Sequence, residues 1–348
     1  MAVTIKDVAQ KAQVSVSTVS KVMSNSSRIS EATKQRVRKV MEELNYHPNR
    51  IARNFVTQSS KSLGVVLELK RSSGFENPYI YEILGGIEKA ACQTGYSVTL
   101  INLADPDNPL DQIRRMTAEK QVDGFVLPLT QGNQKIAEVL AQDNFPFVLL
   151  GEPKSRYKTS WVNVDNRMAG HLATEHLFMQ GYRQPAFLGG PFTEGITGQR
   201  LKGFLDFLTE ERIEEPEKWV IHGLDNEADT GYRLMDQICT WPQQPDSLVI
   251  SGNVLAAGAL RKLKEVNRKI PEDIGLVSFD NYPLSPYLEP PLTVVDIDVY
   301  ELGLQAGLAL INKIAKPDLI VQSNLLSFQL ITRESSAKTV PILSGEAY

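Results

Sequence analysis

The stretch TIKDVAQKAQVSVSTVSKVM, Thr4 to Met23, decides how the rest of the chain is read. Ile5, Val8, Ala9 and Ala12 recur at helical spacing behind Thr4, and Asp7 follows Thr4 by three residues, a capping box with Asp in place of the usual Glu. Gln13-Val14-Ser15 predicts a turn. Ser15 or Ser17 then caps a second helix whose Val19, Val22 and Met23 face inward. Ser30 opens a third helix in which Val37, Val40, Met41 and Leu44 fit the i, i+3, i+4, i+7 pattern. Three short helices joined by tight turns read as a helix-turn-helix domain. Helices this brief bury little core, so their pattern points to a partner outside the chain.

Charge supplies the partner's sign. Residues 1–60 hold ten Lys and Arg against four Asp and Glu, whereas the other 288 residues hold 27 against 37. A basic head on an acidic body predicts that the head meets a polyanion. The outer face of the second helix carries Ser17, Thr18, Ser20 and Lys21. Small side chains let a helix sit deep in a major groove roughly 12 Å wide, and a lysine reaches base acceptors there. Hydroxyls beside a helix N-terminus suit phosphates. After Pro48, Asn49 can cap a short helix from Arg50 to about Val56, which is too short to be stable alone. It reads either as a hinge that folds when held or as a plain linker.

These segments, with ISEATKQRVRKVMEELNYHPNRIAR and the LGVV that follows, resemble the lactose-repressor family of bacterial transcription factors over nearly the whole chain. The resemblance implies a second helix that reads the major groove and a hinge helix that enters the minor groove. It places base reading on Val16, Ser17 and Lys21, and phosphate contacts near Thr4, Ser15, Thr18, Asn25 and Thr33. Hinge contacts fall on Asn49, Arg50, Ala52 and Phe55. Three residues depart from the family pattern. Gln13 replaces a turn glycine, where a left-handed backbone costs of order 1 kcal/mol. Lys21 replaces an arginine and loses bidentate guanine recognition. Phe55 replaces the leucine that wedges the central base step.

Beyond residue 60, short apolar β-branched runs alternate with helical stretches. Strands are expected at 63–68, 97–102, 124–128, 147–151, 185–189, 218–222, 247–251, 275–279, 293–297 and 327–332. Helices such as Ile80–Thr94, Arg167–Met179, Gly198–Glu211 and Leu255–Val266 lie between them. Alternation of this length implies two doubly wound parallel sheets. The fold class expected is therefore an all-α head and hinge followed by an α/β body, which the resemblance specifies as periplasmic-binding-protein-like with three crossovers. The expected domains are a head at 1–47, a hinge and linker at 48–60, a body at 61–336 and a tail at 337–348. The body divides into one subdomain of about 61–162 and 294–323 and another of about 163–293 and 324–336.

Ligands in such sheets bind beyond the carboxyl ends of the strands. The resemblance places an effector against Phe75, Asn77 and Tyr79 of GFENPY, Asp165 of VDNRMAG at the fifth strand's exit, Arg200 of GITGQRLKGF, Asn253 of SGNVLAAG, and Asp280 of SFDN. Asp280 reads either as a charge-assisted acceptor for an effector hydroxyl or as a cap for the next turn. Arg200 reads either as a ligand contact or as a surface-helix salt bridge. The family's second pocket arginine is Gly198 here, so no effector carries over residue by residue. Phe75, Tyr79, Tyr157 and Trp161 could stack on sugar faces or belong to core.

No P-loop, GxGxxG or GxSxG occurs, so neither enzyme chemistry nor a cofactor is expected. His171 and His176 are five apart on one helix and diverge, which argues against metal. Cys92 and Cys239 read as reduced, mostly buried thiols. The N-terminus lacks an apolar signal core, so a cytoplasmic protein without a membrane span is expected. The tail lacks apolar heptads, which points to a homodimer rather than a coiled-coil tetramer. The reading is a regulator, by resemblance a repressor, that binds a palindromic double-stranded operator and responds to a small-molecule effector, a sugar first. Control by a phosphoprotein corepressor and a solute-binding module with little DNA activity are the alternatives.

Overall fold

The structure is a computed structural model and describes residues 3–23, 26–46, 59–67, 78–103, 108–130, 133–153, 159–192, 195–318 and 323–338. Asn25, Asn49, Arg50, Ala52, Phe55, Phe75, Asn77, Tyr157, the expected hinge helix and the tail beyond Lys338 lie outside them. The chain divides into two compact units, Met1–Lys61 and Ser62–Tyr348.

In the first unit, α1 (Ile5–Lys11), α2 (Val16–Met23) and α3 (Glu31–Glu43) form where the apolar spacing places them. Val8, Ala9, Ala12, Val19, Val22, Val37 and Val40 make the core, with Ile5, Val14, Met23 and Leu44 packed around it. The small volumes of these side chains let three short helices meet closely. The Asp7 carboxylate accepts from the Thr4 backbone N–H at 2.8 Å and from its hydroxyl at 2.7 Å. The turn between α1 and α2 runs through Gln13 at φ 54, the left-handed conformation that glycine adopts without cost.

The second unit opens with β1 (Ser62–Leu67), α4 (Pro78–Gln93), β2 (Ser97–Asn102), α5 (Pro109–Ala118), β3 (Gly124–Pro128), α6 (Gln134–Gln142), β4 (Phe147–Leu150) and β5 (Ser160–Val164). It continues through α7 (Asn166–Met179), β6 (Pro185–Gly189), α8 (Gly195–Glu210), β7 (Val220–His222), α9 (Ala228–Ile238), β8 (Ser247–Ile250), α10 (Asn253–Glu265), β9 (Gly275–Phe279) and β10 (Thr293–Ile297). It closes with α11 (Val299–Ala315), β11 (Ser323–Leu326) and β12 (Phe328–Ile331). One six-stranded sheet has the order β11-β5-β4-β3-β1-β2 and the other β12-β10-β9-β8-β6-β7. All pairings are parallel except β10 with β12. Strands of continuous buried apolar residues, such as Gly275–Phe279, are what a sheet covered on both faces requires.

Two strands were absent from the expected set: Ser160–Val164 and Ser323–Leu326, which pair with each other at the edge of the first sheet. The expected 218–222 strand shortens to Val220–His222 because Pro216–Trp219 makes a 3-10 turn that buries Trp219. The chain passes between the sheets three times, after β5, after β10 and after β11. The expected boundaries at 294 and 324 are corrected by register. Val294–Ile297 pairs with β12, and its first residues with β9, so it stays with the second sheet. Asn324–Leu326 pairs with β5 and stays with the first.

Helices α7 and α8 cross at two glycines. A Cβ on Gly170 would lie 2.0 Å from the Arg200 carbonyl oxygen, and one on Gly203 would lie 1.8 Å from that of Arg167. This close approach brings the Arg200 backbone against α7.

Candidate DNA-reading face and effector cleft

Ser15 is the cap of α2. Its hydroxyl accepts the Thr18 N–H at 3.1 Å and sits 2.8 Å from the hydroxyls of both Ser17 and Thr18. The start of α2 therefore presents a cluster of hydroxyls and the helix's own unpaired N–H groups, which together suit an anion. Val16, Ser17 and Lys21 are exposed along this helix, and Val16 keeps 42% of its surface open despite being apolar. An exposed valine in the first turn of a helix is suited to a thymine methyl. At α3 the Ser30 hydroxyl accepts the Thr33 N–H at 3.4 Å and lies 2.9 Å from the Thr33 hydroxyl. Thr4, Ser15, Thr18 and Thr33 thus all sit at helix starts. Of the residues expected to meet DNA, the structure brings Val16, Ser17, Thr18 and Lys21 together on α2.

In the second unit the polar residues converge at the carboxyl ends of β8 and β9. Arg200, 4% exposed, is the centre. Its Nε donates to Asn166 Oδ1 at 3.1 Å, one terminal nitrogen to the Ser251 carbonyl at 2.7 Å, and the other to Asp280 Oδ1 at 3.4 Å. The guanidinium lies 4.1 Å from the Phe279 ring centroid. The surface-helix alternative for Arg200 is therefore overturned: the side chain is interior, and each of its three nitrogens donates within the protein. Asp280 leaves β9 with φ 65, a conformation that Asp tolerates better than most residues. Asn253 Nδ2 holds the Asp280 carbonyl at 2.6 Å, and the side chain of Asp280 remains 27% exposed.

The electrostatics follow from burial. Desolvation pulls the Arg200 guanidinium below its usual range, against the opposing pull of Asp280. Desolvation likewise raises Asp280; Arg200 offsets part of this, and Asp296 nearby adds to it. The single 3.4 Å ion contact does not fully satisfy a carboxylate in this setting, so hydroxyl donors from a ligand would stabilise it. Tyr79, at the start of α4 on the first sheet's side, is coupled to both charges. Burial raises its phenol first, and the negative charge of Asp280 raises it further against Arg200. The hydroxyl stays protonated and can donate.

Asp165 makes a local contact at the start of α7. Its Oδ1 accepts the Met168 N–H at 2.9 Å and caps α7. Trp161 packs against the first sheet's core. Sequence reasoning missed Ser251 and Phe279, and placed Asn166 beside Asp165 at a strand exit without a partner. Ser251 and Phe279 stand at the buried ends of β8 and β9, and Asn166 opens α7, so only the fold brings them around Arg200. His171 meets Glu210 at 2.9 Å and His176 meets Ser336 at 2.7 Å, so the two rings serve different partners. Cys92 is exposed and Cys239 half-buried, which corrects the expectation of mostly buried thiols. Among the described residues no cluster of three or more His, Cys, Asp or Glu could hold a metal, and no helix is long and apolar enough to cross a membrane.

A helix-turn-helix unit ahead of two stacked α/β halves with a polar cluster at their strand ends defines a ligand-responsive DNA-binding protein. Residues 4–49 match the family described as "Bacterial regulatory proteins, lacI family", and residues 174–336 match "Periplasmic binding protein-like domain". The HTH-type transcriptional repressor PurR of Proteus mirabilis (strain HI4320) is 31% identical over 339 residues, which cover 96% of this chain and 97% of that protein. The lac repressor dimer bound to operator and the anti-inducer ONPF superposes with a TM-score of 0.81 at 25% identity, covering 97% and 100% of the two chains. The transcriptional regulator CelR in complex with cellobiose gives a TM-score of 0.73 at 26% identity, covering 96% and 99%. The chain belongs to the lacI family of bacterial regulatory proteins and is a DNA-binding transcriptional regulator.

Proposed function

We propose that this regulator is a repressor that binds a palindromic operator as a homodimer and releases or grips it according to a sugar held between Tyr79 and the Arg200–Asp280 pair. The observation that carries the reading is the Asp280 carboxylate, part exposed at the carboxyl end of β9 and held by one 3.4 Å contact with the buried Arg200. A polyol would bring hydroxyl donors to it. The cellobiose complex of CelR and the repressor names of the relatives support the same reading. Residues 1–47 would form the head and 48–60 the hinge. Val16, Ser17 and Lys21 would read bases; Thr4, Ser15, Thr18, Asn25 and Thr33 would meet phosphates; and Asn49, Arg50, Ala52 and Phe55 would enter the minor groove. Two heads about one DNA turn apart would read the palindrome. Ligand closure would act through order and disorder of the hinge. The test is a gel shift of the purified full-length protein on its own upstream DNA, repeated with a sugar panel. Salt-sensitive binding that a sugar alters supports the reading. Absent DNA binding would leave a solute-binding module, and binding altered only by a serine-phosphorylated carrier protein would favour the corepressor route.

A further inference from the structure

The Asp280 carboxylate is only as well placed as the loop that carries it. The Asp280 N–H donates to the Val295 carbonyl at 2.9 Å, and its carbonyl accepts the Tyr282 N–H at 2.9 Å. Its side chain has one long contact, 3.4 Å, with Arg200, and its φ of 65 is a conformation that disfavours any residue with a side chain. The next residue, Asn281, is exposed yet gripped from both sides. Its N–H donates to Asp296 Oδ1 at 3.3 Å, and its own Oδ1 accepts from a terminal nitrogen of Arg333 at 2.7 Å. The other terminal nitrogen of Arg333 donates to the Leu292 carbonyl at 2.7 Å, just before β10.

Arg333 reaches this loop from a fixed base. Its N–H donates to Thr293 Oγ1 at 2.8 Å, and its carbonyl accepts from that hydroxyl at 2.9 Å. Ser335 and Ser336 beyond it are fully buried. Ser335 Oγ accepts the Thr293 N–H and donates to the Leu276 carbonyl, both at 2.8 Å. The Thr293 hydroxyl has one proton, spent on the Arg333 carbonyl. Ser336 therefore donates to Thr293 Oγ1 at 2.7 Å, and His176 Nε2 donates to Ser336 at 2.7 Å. Both oxygens that the Arg333 guanidinium holds are neutral, so charge pairing does not repay the side-chain freedom it loses. Its planar fork instead sets the spacing between the start of β10 and the loop. We infer that Arg333 is a positioning residue of the effector cleft: by holding Asn281 it keeps the adjoining Asp280 in the conformation that faces Arg200 and the ligand.

This inference rests on the reading of Asp280 as the effector contact, and the test separates the two. The full-length protein is titrated calorimetrically with maltose, cellobiose, lactose, glucose and ribose, and the tightest binder is the probe. If the loop without its clamp is competent in about one molecule in ten, the probe binds about tenfold more weakly. Asn281→Ala should show that loss, with the melting temperature and the operator Kd without sugar nearly unmoved. Asn281→Asp keeps an oxygen for Arg333 and should restore affinity to within about twofold. Arg333→Ala combined with Asn281→Ala should lose no more than Asn281→Ala alone, because both remove one contact. Unaltered affinity in Asn281→Ala, no recovery in Asn281→Asp, or losses that add in the double variant overturn the positioning role and leave the sugar effector in place. Binding of no sugar overturns the sugar reading, and amide hydrogen exchange of residues 280–285 in the unliganded protein then decides the clamp. Exchange about tenfold faster in Asn281→Ala and Arg333→Ala sustains it; unchanged exchange overturns it.

Discussion

The two sheets of the body have the same strand plan and carry different chemistry. In each order the third strand from the antiparallel or late-joining edge, β4 in one and β9 in the other, is followed by a residue with positive φ. After β4 that residue is Gly151 at φ 113, with no side chain. After β9 it is Asp280 at φ 65, whose carboxylate turns toward Arg200. The backbone bend is thus a property of the fold, while the charge placed on it is a property of one half. The first half contributes a phenol, Tyr79, and the second contributes the ion pair whose charges act on it. Duplicated architecture does not imply duplicated chemistry: the buried ion pair belongs to the second half alone.

The largest expected effect breaks this asymmetry at its centre. Arg200→Ala removes the cation from beneath Asp280, leaves Asn166 and the Ser251 carbonyl without their donor, and should lower unfolding free energy by about 3 kcal/mol. Urea denaturation measures it, and a loss near zero would mean that the pair is replaceable by water. Next, Gly151→Ala places a Cβ 3.0 Å from that of Leu129 on a backbone disfavoured for alanine and should destabilise the body by about 2 kcal/mol. If the two halves divide labour as described, ligand affinity of the folded Gly151→Ala protein stays unchanged. In the head, Gln13→Gly relieves the left-handed glutamine and should raise unfolding free energy by about 1 kcal/mol, read from the thermal melt of the full chain. Smallest, Tyr79→Phe removes one hydroxyl and should weaken effector binding about fivefold, equivalent to one neutral hydrogen bond, with the melting temperature nearly unmoved.

The head was legible in the sequence because its signals are local. Thr4 with Asp7, Ser15 before α2 and Ser30 before α3 are contacts between residues three apart, and the apolar spacing alone picks out Val8, Val19 and Val37. The strained turn at Gln13 was legible only through the family resemblance, which puts glycine there; glutamine itself gives no sign of it. The body was legible as alternating strands and helices, yet Ser160–Val164 and Ser323–Leu326 escaped. Ser160–Val164 is an alternating strand interrupted by Asn163, and the other lies half exposed at an edge, so neither shows the continuous apolar run of its neighbours. The crossover boundaries escaped for a related reason. Which sheet a strand joins is decided by pairing partners more than a hundred residues away in the case of β5 with β11. Within the site, Arg200 and Asp280 could be named from the sequence, but not that the arginine is interior. That depends on Gly170 and Gly203 letting two helices touch at their backbones.

The measurement that tests the account most directly is fluorescence anisotropy of labelled operator DNA titrated with wild-type protein and with Asp280→Ala, each with and without saturating amounts of the saccharide that binds the wild type. The account predicts that the sugar changes the wild-type Kd for DNA by about 5–150-fold and leaves that of Asp280→Ala unchanged, while both proteins bind equally without sugar. An equal response in the two proteins, or an Asp280→Ala protein that binds DNA poorly in the absence of sugar, would contradict it.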